Sequence, residues 1–194
     1  MNNKKTLLLV SLIIVALVQL YVPGSMIYER EVILKEGTEY KFKTAPIDPN
    51  DPFRGKYINL RFEQNSIKVA DANNWKRSED IFTILSIDSL GFAYPKSISK
   101  VEPNDGEIYI ASQVNFIQKK SNELFIDYPF DRFYMDEFKA YEAEQTYRKS
   151  QEDQDKTTYA LVSIKDGNAV LKDVLIDGVA IREIVKSNQL KSKN

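Results

Sequence analysis

The sequence predicts a mainly β fold of the α+β class: an antiparallel, hairpin-built sheet or small sandwich with one principal helix, preceded by a single transmembrane helix. Three observations predict it: an uncharged N-terminal run, short segments in which apolar and polar residues alternate, and two Asp-Gly pairs between such segments. The chain has 194 residues, is 43% hydrophobic and contains only seven Gly and seven Pro, which is typical of a globular domain rather than of disorder. After the N-terminal run enough chain remains for one domain with its own core.

The N-terminal run extends from Thr6 to Val22 without a charge, behind Lys4 and Lys5. As a helix it measures about 25 Å, near the short end for a bilayer core of about 30 Å. We expect Pro23-Gly24 to end this helix and the two lysines to remain in the cytoplasm. The sequence therefore predicts a cytoplasmic stub and membrane anchor in residues 1–24, an extracytoplasmic domain in 25–186 and a frayed tail in 187–194.

A cleaved signal peptide is the alternative interpretation of the same run, with Val22 and Gly24 as the small residues before the cut. The apolar run is longer than the usual 7–15 residues of such a signal, and Pro23 lies inside the cleavage site. Both interpretations export the domain.

Most segments beyond Ser25 have the composition or the alternation of strands. The predicted strands are residues 31–34, 40–43, 57–62, 80–89, 92–94, 107–116, 158–165, 169–176 and 180–185. The first two form a predicted hairpin around Gly37. The pairs Asp166-Gly167 and Asp177-Gly178 predict two-residue hairpin turns.

One long helix is predicted from Phe133 to about Gln151, because Tyr134, Phe138 and Tyr141 lie on or near one stripe among charged residues.

Composition excludes several classes of function. The chain has no Cys and no His, so a disulfide, a Ser-His-Asp triad and a thiolate or imidazole metal site cannot form. We therefore predict no metal and no cofactor. Removing Lys4 and Lys5 from the 27 basic residues leaves 25 against 28 acidic residues, so a nucleic-acid partner is not expected.

A proline-rich loop from residue 44 to residue 55 carries the first candidate contact residues. In one interpretation it is a rigid corner, in which Gly55 takes a positive φ and Arg54 pairs with Asp48 or Asp51. In the other, the forked guanidinium of Arg54 holds a carboxylate or phosphate of a ligand or partner. A calcium loop is excluded by spacing, because Pro52 falls at the fifth position.

The segment Asp48–Phe62 resembles the signature of the GDYXXLXY family of bacterial membrane-anchored proteins. Gly55, Tyr57 and Leu60 match the pattern Gly-Asp-Tyr-x-x-Leu-x-Tyr, whereas Lys56 replaces the Asp and Phe62 the last Tyr. A second block, residues 128–137 followed by 142–144, is similar to the aromatic–acidic segment of the family. The resemblance implies a membrane helix, an exported domain, no established activity and a multi-pass membrane protein as partner. The role of the family Asp does not transfer to Lys56.

The acidic residues of the predicted helix have three interpretations: a solvated face, a metal or partner site, or the paired carboxylates of a hydrolase. A Ser/Lys hydrolase would use Ser25 and Lys68. We expect a binding module that works with a membrane partner, with the hydrolase as the alternative, and we assign no catalytic residue. The predicted ligand or partner contacts are Asp48, Asp51, Arg54, Gly55, Tyr57, Arg132, Glu137 and Glu144.

Overall fold

A computed structural model describes residues 3–46, 57–104, 106–153 and 155–191 of the chain. Within them the helices are α1 (Asn3–Glu36), α2 (Glu137–Glu152) and α3 (Ile181–Lys191), with one short 3-10 helix (Ala72–Asn74). The first strands are β1 (Thr38–Ala45), β2 (Tyr57–Asn59), β3 (Arg61–Phe62), β4 (Ser66–Lys68), β5 (Asp80–Ile87) and β6 (Ala93–Ser99). The later strands are β7 (Tyr109–Gln118), β8 (Glu123–Asp127), β9 (Arg132–Tyr134), β10 (Thr158–Lys165), β11 (Asn168–Ile176) and β12 (Val179–Ala180).

Helix α1 does not end at Pro23-Gly24, so that prediction is wrong. A proline inside a helix removes one hydrogen bond, here to the carbonyl of Gln19, and membrane helices tolerate this loss. The residues that follow are mostly good helix formers, and a Glu31–Lys35 ion pair of 3.3 Å joins two successive turns. The helix therefore runs on across residue 24, where the sequence analysis divided anchor from domain, and contains residues 31–34, which were predicted as a strand.

The uncharged part of α1 extends from Thr6 to Tyr28, which is 23 residues or about 35 Å of helix. Its large apolar side chains are exposed on every side of the helix. Helix α1 is therefore long and apolar enough to cross a membrane. Because the helix continues past Pro23, its uncharged length exceeds a bilayer core of about 30 Å instead of falling short of it.

The folded domain begins where α1 meets β10. The N–H of Gly37 donates to the carbonyl of Ile33 (2.9 Å), and the Ser163 hydroxyl donates to the same oxygen (2.8 Å). Lys165 forms an ion pair with Glu36. The last turn of the helix is thus fixed to the outer face of a sheet.

The strands form antiparallel sheets. One has the order β12-β11-β10-β1-β3, a second has the order β4-β8-β7-β5-β6, and β2 pairs with β9 in a two-stranded ribbon. The edge strands β4 and β6 of the second sheet also contact each other, so this sheet is strongly curled. A parallel bridge between Lys41 and Phe92 connects the first sheet to the loop before β6 of the second. The mainly β fold with its preceding apolar helix is confirmed.

The core lies between the sheets and under α2 and α3. Ile58, Leu60 and Phe62 are 2%, 5% and 6% exposed, which confirms the alternation predicted for residues 57–62. An aromatic cluster with ring-centroid separations of 5.0 to 5.9 Å fixes the centre of the core; its members are Phe42, Phe62, Tyr128 and Phe130.

Two predictions near the C-terminal half are wrong. Residues 133 and 134 belong to β9, and the helix begins only at Glu137. Residues 181–185 form the start of α3 instead of a strand, because Ile181 and Val185 are one helical turn apart and both fully buried. The same helix includes residues 187–191, where a frayed tail was expected.

A buried polar network lies between α2 and the first sheet. The Thr44 hydroxyl donates to the carbonyl of Thr158 and accepts from Gln151 Nε2, both at 2.9 Å. The Thr158 hydroxyl donates to Ser150 Oγ at 2.9 Å. Tyr147 is 1% exposed, and its hydroxyl lies near Thr44 but makes no well-formed hydrogen bond within the described part of the chain. This network fixes the register of α2 on the sheet.

Candidate binding groove

An open groove of about 980 Å³ lies among the described residues; we call it the juxtamembrane groove because it adjoins the apolar part of α1. Three walls enclose it: residues 26–33 of α1, residues 129–134 around β9, and residues 165–171 of the β10–β11 hairpin. Arg182 of α3 also contributes to its surface.

The helical wall comes from one face of α1. Met26, Glu29, Arg30 and Ile33 line the groove, and their spacing of three to four residues places them on one side of the helix. Met26 lies within the uncharged stretch, and Glu29 is the first charged residue after it. The groove therefore begins at the end of the segment that is apolar enough to cross a membrane.

The hairpin wall is held in place by its turn. Asp166 and Gly167 have φ values of +48° and +74°, the conformation of a two-residue turn with positive φ at both positions. A Cβ on Gly167 would collide with the ring of Tyr109. The carbonyl of Gly167 accepts from the N–H of Ala111 at 2.9 Å, which ties the turn to β7.

The ribbon wall brings two predicted contact residues together. Tyr57 lies opposite Tyr134 across the β2–β9 ladder, with ring centroids 5.4 Å apart. The guanidinium carbon of Arg132 lies 5.4 Å from the centroid of the Tyr57 ring, a cation–π contact. A hydrogen bond to the Tyr134 side chain, and then the charge of Asp131, raise the pKa of the Arg132 guanidinium, which therefore stays charged.

Charges of both signs line the juxtamembrane groove. The basic side chains are Arg30, Arg132, Lys165 and Arg182, and the acidic ones are Glu29, Asp131 and Asp166. Asp131 lies 3.8 Å from Arg132, with both side chains half exposed. The hydrogen bond to Glu36 raises the pKa of Lys165, which therefore also remains charged. The second guanidinium at β9 is that of Arg182, 4.9 Å from the ring centroid of Phe133. The groove thus has forked donors beside apolar surface and nearly balanced charge.

Of the described residues among the predicted contacts, Arg132 lines the groove, Tyr57 packs against Arg132 without lining it, and Glu144 lies elsewhere. Glu144 lies half-buried on α2. Glu137 is the first residue of α2, but its side chain lies outside the described part of the structure, as do Asp48, Asp51, Arg54 and Gly55. The interpretations of the proline loop therefore stay predictions. Sequence reasoning did not identify the α1 wall, although the helical spacing of its members was a readable signal.

The residues of the alternative Ser/Lys chemistry lie on separate elements. The Ser25 hydroxyl donates to the carbonyl of Val22 at 2.8 Å inside α1. Lys68 belongs to β4, an edge strand that pairs with β8, whereas α1 packs on β10 and β11.

Asp127, two residues before the β9 wall, is a carboxylate whose pKa is shifted. Burial, and then the charge of Asp131, raise the pKa of its carboxyl, while Arg132 opposes the shift. The described residues contain no group of three or more acidic side chains arranged to hold a metal ion.

Residues 19–174 match the family model of the GDYXXLXY protein. The chain belongs to the GDYXXLXY family. No curated protein and no solved structure matches it. In this GDYXXLXY protein the described signature residues have two different environments. Leu60 and Phe62 are buried in the core, whereas Tyr57 lies on the β2–β9 ribbon beside Arg132.

Proposed function

We propose that this GDYXXLXY protein is a membrane-anchored extracytoplasmic binding module, and that the juxtamembrane groove receives part of a multi-pass membrane partner. The observation that carries the proposal is the position of the groove, which begins at Met26, within one helical turn of the first charge after the uncharged stretch. With Thr6–Tyr28 in the bilayer, the groove opens at the membrane surface, where segments of another membrane protein emerge.

The basic residues before the uncharged stretch support an orientation with the folded domain outside the cytoplasm. Lys4 precedes the uncharged stretch, and basic residues next to a membrane helix favour the cytoplasmic side. The residues Glu29–Glu36 then form a helical stalk of about 12 Å between the membrane and β1. The module is thereby held close to the outer surface at a defined height.

The lining favours binding over catalysis. Aromatic and arginine side chains are enriched where proteins bind each other; Arg132 and Tyr134 line the ribbon wall, and the Tyr57 ring packs against both. Tyr134 is 61% exposed, so its ring is available to a partner.

Orientation is tested with single cysteines, since the chain has none of its own. Leu90→Cys, at a position 77% exposed, should react with a membrane-impermeant maleimide in intact cells, whereas Lys4→Cys should react only after permeabilisation. The opposite labelling pattern, or a shortened protein that has lost residue 4, would refute the anchored orientation.

Partner binding is tested by cross-linking from Asn168→Cys in the groove, with Leu90→Cys as the remote control. We expect an adduct with an integral membrane protein from position 168 only, and at least a fivefold loss of this adduct when Tyr134→Ala is added. Equal adducts from both positions would show nonspecific proximity and contradict the proposal.

A further inference from the structure

Strand β11 has an open edge inside the juxtamembrane groove. It pairs with β10 from Asn168 to Ile176, but its other neighbour, β12, pairs only with Leu175 and Ile176. Within the described ranges no strand pairs with the second side of residues 168–174. That stretch is therefore an edge in an otherwise paired sheet.

The register shows which main-chain groups are unpaired. In a two-residue hairpin the residues flanking the turn, here Lys165 and Asn168, form the hydrogen-bonded pair, and the pairs alternate from there. Ala169 and Leu171 consequently direct their N–H and C=O groups away from β10. The next outward N–H of regular strand, that of Val174, is already bonded to the Asp173 carboxylate at 2.8 Å.

The groove follows this edge. Consecutive residues of a strand point to opposite faces, so a cavity that touches every residue from 165 to 171 must touch the strand from the side. Helix α1 and strand β9, which supply the other two walls of the groove, both contact β11. The open donors and acceptors of β11 therefore face a slot and not bulk solvent alone.

We propose that an extended segment of the membrane partner adds to β11 as an extra strand, pairing with Asn168–Leu171. This inference rests on the proposed function and specifies its mode of binding. Unpaired main-chain groups at 169 and 171 are satisfied most directly by another extended backbone, the principle of strand addition. Four residues extend over about 13 Å.

The recess identifies the occupant as a peptide segment and not a second copy of this domain. The groove that touches the edge is also lined by α1 and β9, so an occupant must fit among three elements, which favours a single extended chain over the edge of another folded sheet. The bulge at Lys172 ends the regular ladder and limits the pairing to the first half of β11. Apolar side chains of the segment would lie on Met26 and Ile33, which line the groove.

The decisive variant is Ala169→Pro, with Ala169→Ser as its matched control. Proline removes the outward N–H and places ring atoms in the slot, while the ladder to β10 does not use that N–H. Serine keeps the N–H. Eight-residue peptides are first selected from a random display library on the full chain in detergent micelles, and the selected peptides are then the probes.

We expect peptides with alternating apolar residues, whose binding slows amide exchange at Ala169 and Leu171 at least tenfold. Their affinity should fall at least tenfold with Ala169→Pro and less than twofold with Ala169→Ser. Failure to select any peptide, or protection elsewhere in the chain, would overturn strand addition. If Ala169→Pro does not fold, as judged by its melting curve, the exchange pattern of the unmodified chain still decides.

The cross-linking assay separates this inference from the proposed function. A partner adduct that survives Ala169→Pro unchanged would contradict strand addition and leave the binding module intact. If Asn168→Cys alone gives no adduct beyond that of Leu90→Cys, both the proposed function and strand addition are refuted.

Discussion

Replacement of Gly37 by alanine should weaken the attachment of the folded domain to helix α1. A Cβ at this position would lie 2.5 Å from the carbonyl oxygen of Ile33, 2.7 Å from Ser163 Oγ and 3.0 Å from the carbonyl oxygen of Ile164. Two of the three atoms belong to the backbone, so the strain cannot be relieved by turning a side chain. Gly24 is the matched control, because an added Cβ there meets no atom within 4 Å.

The magnitude follows from two opposing effects. Overpacking costs about 1–3 kcal/mol, and the displacement weakens two hydrogen bonds to Ile33 worth about 1 kcal/mol each. Replacing glycine by alanine returns about 0.4–1 kcal/mol through the unfolded chain. The expected net loss is about 2–5 kcal/mol, or a fall in Tm of about 4–20 °C for a domain of this size.

Thermal melts of the full chain in detergent, followed by circular dichroism, measure this loss. Gly24→Ala should leave the melting temperature unchanged or slightly higher. Adding Ser163→Ala to Gly37→Ala should restore only part of the stability, because the two carbonyl contacts remain. An unchanged melting temperature for Gly37→Ala would show that the helix is not clamped to β10 as described.

Two further predictions concern pH. Burial raises the pKa of Tyr147 to about 12, so the folded state retains a proton that the unfolded chain loses near pH 10, and stability should fall as the pH rises from about 10 to about 12. Tyr147→Phe should remove part of this loss in alkaline melts and change the stability at pH 7 by less than about 1 kcal/mol, since the hydroxyl lacks a well-formed hydrogen bond; a large loss at pH 7 would contradict this. Burial also raises the pKa of the Asp173 carboxyl, so its ionisation opposes folding above about pH 4. Asp173→Asn keeps the acceptor for the Val174 N–H and should raise Tm at pH 7 but not at pH 3, whereas a lower Tm at pH 7 would refute the assignment.

Local patterns in the sequence predicted much of the sheet. Strands β5, β10 and β11 were expected from alternation, and both Asp-Gly turns have the positive φ values that such pairs favour. The order of the strands was not accessible, because the pairing of β1 with β10 joins residues more than a hundred positions apart.

The wrong secondary-structure predictions fall on short stretches whose apolar residues fit both a helix and a strand. The run at residues 31–34 is apolar enough for a strand, but it continues an existing helix, and extending a helix adds one hydrogen bond per residue without a new nucleus. Ile181 and Val185 satisfy a helical spacing, yet the preceding Asp-Gly turn favoured a strand.

The contact residues stay predictions, and sequence reasoning reached only some features of the groove region. Tyr57 and Arg132 were named because they lie in the two blocks that resemble the family, and the fold brings these two side chains together on the ribbon. The α1 wall and the β11 edge were missed because the groove is formed by segments that are far apart in the sequence. No local feature of the sequence indicates that β12 pairs with only two residues of β11.

Because α1 is one continuous helix, it connects the apolar segment rigidly to the folded domain. The helix is a rod of about 50 Å whose far end is clamped to the sheet through Gly37 and Glu36. Membrane helices change tilt with bilayer thickness, and a change of about 10° displaces the end of such a rod by about 9 Å. If α1 spans the bilayer as proposed, stretching or thinning of the membrane would therefore swing the whole domain, and with it the proposed binding surface.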